Sequence, residues 1–139
     1  MPDEREPSGS SSADQSIGRK ILIADDNSDA AVSLSMLLQM MGHETRIAHD
    51  GLEAVEIAEH FHPEVVLLDL GMPKLDGYEA VRRMAARPWA RSSLLVAITG
   101  WGQEADRQRT RQAGFHRHLV KPVDLDALGQ LIDGARTRS

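Results

Sequence analysis

The stretch Val65-Val-Leu-Leu-Asp-Leu-Gly-Met-Pro-Lys-Leu-Asp-Gly77 decides how this 139-residue sequence folds. It begins with four apolar residues, two of them β-branched, and Pro63 lies just before them. A short apolar run of this kind indicates a strand that is buried on both faces of a sheet. Asp69 follows the run directly. The stretch therefore predicts a central strand with a carboxylate at its carboxyl end.

The sequence on either side alternates apolar runs with helical patterns. Further strands are predicted at Lys20–Ala24, His43–Ala48, Leu94–Ile98 and His116–Val120. Helices are predicted at Ser28–Met41, Gly51–His60, Tyr78–Ala86, Gln103–Ala113 and from Asp124, the expected N-cap, to about Ala135. Strands and helices that alternate in this way indicate an α/β fold, with parallel strands, right-handed crossovers and helices on both faces.

Apolar residues at helical spacing indicate the buried face of each helix. The inner stripe of the first helix is predicted as Ala31, Leu34, Leu37, Leu38 and Met41, with Gly42 as its stop. The stripe of the second is predicted as Leu52, Val55 and Ala58, and that of the last as Leu125, Leu128, Leu131 and Ile132.

The composition excludes several classes of protein. The chain has no cysteine, so disulfides and thiolate metal sites are ruled out. Its net charge of -5 argues against non-specific binding to nucleic acid. No apolar stretch is long enough to span a membrane, and the N-terminus has no apolar signal core. We therefore expect a cytoplasmic protein.

The chain reads as one domain with short tails. Residues 1–18 are rich in Ser, Pro, Gly and acidic residues, a composition typical of a flexible tail or linker. The domain is expected to cover residues 19–136, and residues 137–139 form a C-terminal tail. Because the sequence after Ala135 is too short for an output domain, we expect a stand-alone domain or a piece of a larger protein.

Polar residues follow four of the five predicted strands. They are Asp25 and Asp26 after the first strand, Asp69 after the third, Thr99 after the fourth and Lys121-Pro122 after the fifth. In a doubly wound sheet the ligand site lies beyond the carboxyl ends of the strands, so these side chains should meet. Three carboxylates beside one ammonium leave a deficit of positive charge, which a hard divalent ion such as Mg²⁺ would remove.

Each of these residues also has an ordinary interpretation when it is taken alone. Asp25 or Asp26 could cap the following helix. Thr99 could be a plain strand residue, and Lys121 could simply be exposed. Their convergence at one edge of the sheet favours a functional site over these separate roles.

The same residues resemble the receiver domain of two-component response regulators. Asp25-Asp26 is similar to the metal-binding acidic pair of that family, and the run from Leu68 through Asp69 to Gly77 resembles its phosphorylated aspartate with the following loop. Thr99 matches the switch hydroxyl, and Lys121-Pro122 matches the lysine with its usually cis proline bond. The resemblance runs from about Lys20 to Ala135. The stretches Ile98–Gln103 and Gly114–Val123 look closest to receivers attached to hybrid histidine kinases.

The resemblance implies a fold and a chemistry. The fold would be a flavodoxin-like doubly wound (βα)5 sheet with strand order 2-1-3-4-5. Asp69 would take a phosphoryl group from a phosphohistidine on a histidine kinase or a histidine phosphotransfer protein. Phosphorylation would then switch the surface of helix 4, strand 5 and helix 5 toward a downstream target. The implied metal ligands are Asp25, partly through water, Asp26, Asp69 and the backbone carbonyl of Gly71.

Two positions depart from the family pattern. Where the family usually carries Tyr or Phe, three residues before Lys121, this chain has His118, which would fill the same space or make the switch sensitive to pH. Trp101 is expected either to shield the acyl phosphate from water, or to contact a partner or pack within its own loop. Gly71 and Gly100 are the other candidate modulators. A transition-metal site at His116 and His118 lacks further ligands.

Two other functions stay open at this point. An aspartyl-phosphate phosphatase is disfavoured, because such enzymes usually carry an acidic residue two positions after the nucleophile, where this chain has Gly71. A pseudo-receiver that only binds partners is disfavoured because the acidic pair, Asp69 and Lys121 are all present. Nucleotide binding has no support, since no phosphate-loop motif occurs. We expect a signalling domain rather than an enzyme.

Overall fold

The computed structural model describes residues 18–70, 72, 77–100 and 107–135. The strands are β1 (Lys20–Ala24), β2 (Glu44–Ala48), β3 (Val65–Asp69), β4 (Leu94–Thr99) and β5 (Arg117–Val120). The helices are α1 (Ser28–Met40), α2 (Gly51–Phe61), α3 (Gly77–Ala85), α4 (Arg107–Ala113) and α5 (Leu125–Ala135). Within these ranges, no helix combines the length and the apolar character that a membrane crossing needs.

The five strands form one parallel sheet in the order β2-β1-β3-β4-β5. This confirms the predicted fold class and strand order. The chain moves outward from β1 to β2 and then returns past β1 to β3, so the direction of winding reverses between β1 and β3. In α/β sheets such a reversal opens a crevice beyond the carboxyl ends of those strands.

Two apolar clusters fill the two sides of the sheet. One includes Leu68, Met84 and Phe115, and the other includes Leu67, Leu128 and Ile132. Alternate residues of β3 thus enter opposite clusters, and every residue of this strand is buried. The prediction of a strand covered on both faces is therefore confirmed.

The predicted inner stripes of the helices were wrong in part. The buried residues of α2 are Gly51, Ala54, Ala58 and Phe61, because small side chains allow the helix to lie close to the sheet. Leu52 lies about a quarter turn around the helix from Gly51, and its side chain is exposed. The other predicted core residues that the structure leaves exposed are Leu37, Met41 and Leu125.

The cap of α1 keeps the acidic pair available for other contacts. Asn27 is the N-cap, and its side chain accepts a hydrogen bond from the Ala30 amide at 3.1 Å. Neither Asp25 nor Asp26 therefore caps this helix, and the ordinary interpretation of that pair does not apply. Gly42 follows the C-terminal end of α1 with φ at +99°, a conformation that favours glycine.

A short 3₁₀ helix at Pro88–Ser92, which the sequence did not predict, lies directly before the start of β4. Trp89 donates its indole N–H to Glu59 at 3.3 Å, and Arg87 forms an ion pair with the same carboxylate. The hydroxyl of Ser93 donates to the Pro63 carbonyl at 2.6 Å. These contacts tie the start of β4 to α2 and to the start of β3.

Candidate functional site

Backbone hydrogen bonds continue past the strands at the carboxyl edge of the sheet. The amide of Asp25 donates to the Ala48 carbonyl at 3.0 Å. On the other side, the amide of Lys121 donates to the Thr99 carbonyl at 2.8 Å. The polar residues beyond the strands are therefore held in the register of the sheet, which fixes where their side chains begin.

Two buried carboxylates share one ammonium group at this edge. Asp25 and Asp69 are each only 7% exposed. The Lys121 ammonium donates to Asp25 Oδ2 at 3.0 Å and to Asp69 Oδ2 at 2.9 Å. Lys121 follows β5 and so reaches the site from the side of β3 that is opposite to β1. In sequence it is separated from Asp69 by 52 residues. Charged groups this deeply buried need a partner, and the lysine supplies it.

The acidic surroundings change the proton affinity of Lys121. Burial lowers the pKa of its ammonium, but the hydrogen bonds and charges of Asp69 and Asp25 outweigh burial and raise the pKa above its ordinary value of 10.5. Lys121 therefore stays charged at neutral pH. Its positive charge offsets one of the negative charges of the carboxylates at this edge.

Three carboxylates, those of Asp25, Asp26 and Asp69, offer oxygen atoms that all lie within 4.8 Å of one another. Asp26 is exposed, so the cluster opens to solvent on one side. The Asn27 amide donates to Asp25 Oδ1 at 2.9 Å, which fixes the orientation of that carboxylate. An all-oxygen donor set with excess negative charge suits a hard divalent cation of the Mg²⁺ or Ca²⁺ kind.

The last strand places an imidazole against the hydroxyl of Thr99. Thr99 is 2% exposed, and its Oγ1 lies 3.1 Å from His118 Nε2, within hydrogen-bond distance. Thr99 pairs with Val120 across the two strands, so His118 is the β5 residue two positions earlier on the same face. Sequence spacing placed both residues near the site, but this direct bond was not foreseen.

The structure brings together Asp25, Asp26, Asp69 and Lys121, and it places Thr99 at the end of β4 beside the same edge. The Lys121–Pro122 bond is cis. Gly100 is half-buried directly after β4. The other predicted site residues, Gly71 and Trp101, lie outside the described residues, as do residues 1–17 and 136–139.

An apolar cleft beside the acidic cluster was missed by the sequence analysis. It has a volume of about 330 Å³ and is lined by Leu34, Leu37 and Leu125 together with the two charged residues Asp25 and Lys121. Leu37 and Leu125 had been assigned to the core because their spacing is that of core residues. A helical stripe does not distinguish a residue that faces a cleft from one that faces the sheet.

Comparison with known sequences identifies a matching family model and several similar proteins. A family model described as the response regulator receiver domain matches residues 21–133. The chain is 35% identical to the transcriptional regulatory protein PdtaR of Mycobacterium tuberculosis over 127 residues, which are 91% of the chain but 60% of that protein. It is 32% identical to Protein PilH of Pseudomonas aeruginosa over 114 residues, 82% of the chain and 94% of that protein. The chain thus spans about 60% of the length of PdtaR and almost all of PilH.

Solved structures show the same likeness. The receiver domain of sensor histidine kinase PA1611 from Pseudomonas aeruginosa PAO1 superimposes with a TM-score of 0.75 at 30% identity, over 84% of this chain and 96% of that one. Its structure is described with a magnesium ion coordinated in the active site cleft. A CheY-like receiver domain protein from Methanospirillum hungatei JF-1 gives a TM-score of 0.76 at 24% identity over 87% and 96% of the two chains, a likeness of fold alone.

Proposed function

This chain belongs to the response regulator receiver family, and on that basis we propose that Asp69 accepts a phosphoryl group in a two-component or phosphorelay system. The donor is a phosphohistidine on a histidine kinase or a histidine phosphotransfer protein. The reaction is stoichiometric, so the domain is a phosphoacceptor and not an enzyme that turns over a separate substrate. Its proposed extent is residues 19–136, and its proposed location is the cytoplasm.

One observation carries this proposal: Lys121 holds Asp69 and Asp25 together while Asp26 opens the cluster to solvent. A buried carboxylate whose charge is only partly neutralised is poised to react with an electrophile. Asp69 is also the cluster member at the end of the central strand, where β1 and β4 flank it on both sides. Asp69 itself lies within β3 and pairs with Ile98 of β4, whereas Asp25 and Asp26 follow the end of β1.

The donor set of the cluster fits Mg²⁺, with Asp25, Asp26 and Asp69 as side-chain ligands and the Gly71 carbonyl as a further ligand implied by the family. When bound, the ion would draw negative charge away from the phosphoryl oxygens and bring the donor and Asp69 together. Phosphoryl transfer depends mainly on such positioning and charge neutralisation. The single positive charge of Lys121 is not enough to neutralise three carboxylates.

The side chains of the chain have separate roles in the transfer. A carboxylate oxygen of Asp69 forms the new bond to phosphorus, and the bond from phosphorus to the donor's imidazole nitrogen breaks, leaving its electron pair on that nitrogen. Lys121 can then pair with a phosphoryl oxygen instead of with Asp69 alone. Thr99, at the end of β4, can donate its hydroxyl proton to a second oxygen. This last contact would transmit the change toward α4, β5 and α5.

Incubation of the full chain with acetyl phosphate and Mg²⁺ tests the proposal. We expect the intact mass to rise by one phosphoryl group in the wild type and to stay unchanged in Asp69→Asn, which keeps the size of the side chain but removes the nucleophile. Asp50→Asn is a matched control, because Asp50 caps α2 outside the acidic cluster and should leave the reaction intact. Uptake by Asp69→Asn at the wild-type level would refute Asp69 as the acceptor.

The same experiment separates the proposal from its main alternative. A pseudo-receiver that binds partners without phosphorylation would show no mass gain in any variant, with or without Mg²⁺. Omission of Mg²⁺ by chelation should lower the rate of uptake strongly, and an unchanged rate would argue against the metal. Neither outcome requires a histidine kinase or any other partner protein, because acetyl phosphate is the phosphoryl donor.

A further inference from the structure

A groove between α2 and α3, called here the α2–α3 groove, lies away from the acidic cluster. Both helices cover the same side of the sheet, because Ala58 and Met84 pack into the same apolar cluster. The groove has a volume of about 360 Å³, and its wall is mainly apolar, with Val55 and Trp89 half-buried in it. Trp89 lies just before the start of β4, whereas Asp69 lies at the end of β3. The groove and the acidic cluster are therefore separate sites.

The two rims of the α2–α3 groove carry opposite charges. Glu56 and Glu59 line it from α2, and Arg83 and Arg87 line it from α3. At one end, Arg87 already forms an ion pair with Glu59. Within the described part of the chain, Glu56 has no ion-pair partner, and Arg83 contacts only Glu79 of its own helix, at 3.3 Å. An exposed pair of this kind contributes little, so Arg83 can change its partner at small cost.

Opposite charges on two parallel rims make the groove complementary to itself. The helices α2 and α3 run in the same direction, because each connects two strands of one parallel sheet. A two-fold axis parallel to the groove therefore places α2 of each copy against α3 of the other copy. Glu56 of one copy then meets Arg83 of the second copy. The symmetry makes the same contact a second time.

The apolar wall supplies what exposed ion pairs alone do not. Trp89 is held in place by the hydrogen bond from its indole N–H to Glu59 at 3.3 Å and by stacking on the ring of His62, with the two centroids 5.9 Å apart. A fixed tryptophan in a groove is typical of a contact surface. Each copy carries a net charge of -5, so repulsion opposes association through acidic surfaces. This groove instead lets opposite charges meet.

We propose that the α2–α3 groove is the interface of a homodimer, in which two symmetric contacts between Glu56 and Arg83 join α2 of each copy to α3 of the other. The groove is small, so the dimer is weak and reversible. It does not depend on phosphorylation of Asp69. Because the acidic cluster lies outside the groove, each copy in the dimer can still meet a phosphoryl donor.

Sedimentation equilibrium of the full chain, without Mg²⁺ or a phosphoryl donor, tests the proposal. We expect the wild type to form a reversible dimer at protein concentrations up to about 1 mM. Glu56→Arg and Arg83→Glu should each weaken the dimer about tenfold or more, because each turns two attractions into two repulsions. Arg82→Glu is the matched control. It makes the same change in net charge beside the same Glu79, but Arg82 does not line the groove, so this variant should dimerise like the wild type.

A mixture of the two weakened variants gives the sharpest result. Equal amounts of Glu56→Arg and Arg83→Glu should dimerise like the wild type, because each reversed charge then meets an opposite charge on the other chain. The double variant Glu56→Arg/Arg83→Glu should dimerise as well. Recovery in the mixture cannot come from better folding of either chain, since each chain still carries its own substitution.

Three results would overturn the proposal. They are a wild type that stays monomeric throughout this concentration range, an equal loss of dimer in Arg82→Glu, and a mixture that associates no more than its two components do alone. A monomeric wild type would leave the groove to a different partner. None of these results bears on the proposed phosphorylation, which the uptake from acetyl phosphate tests separately. In the same way, a failure of that uptake would leave the dimer untouched.

Discussion

Replacement of Lys121 by methionine should destabilise the metal-free protein. The three carboxylates of the cluster offer oxygens within 4.8 Å of one another. Two unit charges at that distance repel by about 3.5 kcal/mol at an effective dielectric constant of about 20. In the wild type, the Lys121 ammonium at 2.9 and 3.0 Å from Asp69 and Asp25 offsets this repulsion. Because a third of the Lys121 side chain is exposed, solvent screens part of the effect. We expect a net loss of about 2 kcal/mol.

Urea unfolding with a chelator present measures this loss, which should lower the midpoint by about 1–2 M. Lys20→Met is the matched control, since Lys20 lies exposed at the other end of β1 and far from the acids. Mg²⁺ should then stabilise Lys121→Met more than the wild type, because the ion binds only the folded protein and replaces the missing charge. Equal midpoints without Mg²⁺, or an equal gain with it, would refute the role of Lys121 as the counter-ion.

Three further predictions concern residues other than the three carboxylates and Lys121. Asn27→Ala removes the N-cap of α1 and should cost about 1 kcal/mol in urea unfolding, whereas a cost near zero would argue against the cap. Thr45→Val removes a hydroxyl that lies 2.6 Å from Ser35 Oγ in the core and should cost about 1–2 kcal/mol; a more stable variant would contradict this. His43 accepts the Arg19 amide proton at Nδ1, and burial lowers the pKa of His43 below its ordinary value of 6.5. The unfolded chain therefore binds this proton more readily, so stability should fall as pH drops below 6.5, and this fall should be smaller in His43→Gln.

The fold could be predicted from the sequence because its central strands carry an unmistakable pattern. Val65–Leu68 and Leu94–Ile98 are apolar throughout, and the Asp or Thr directly after each is a clear boundary. The positions of Asp25, Asp69 and Lys121 followed from the same pattern, since parallel strands bring their carboxyl ends to one edge. The register of the strands then fixes where these side chains begin. This register is a property of the sheet rather than of any one side chain.

What the sequence could not supply depends on side-chain geometry. Leu37 and Leu125 have the spacing of core residues, yet they line a cleft, because α1 buries Ala31 and Leu38 and α5 buries Leu128 and Ile132. The short 3₁₀ helix at Pro88–Ser92 has no periodic pattern to reveal it. The hydrogen bond between His118 and Thr99 depends on side-chain torsion angles. The sequence left open whether His118 fills space or makes the switch sensitive to pH.

The shortness of β5 limits how this chain can change in length. Four residues, Arg117–Val120, carry the ring that contacts Thr99, and the next residue is the counter-ion of the acidic cluster. Insertion or deletion of one residue between His118 and Lys121 would turn one of these two side chains to the other face of the sheet. Natural variants and engineered chimaeras of this domain should therefore accept length changes before β5 or within the connection to α5, but not in this interval.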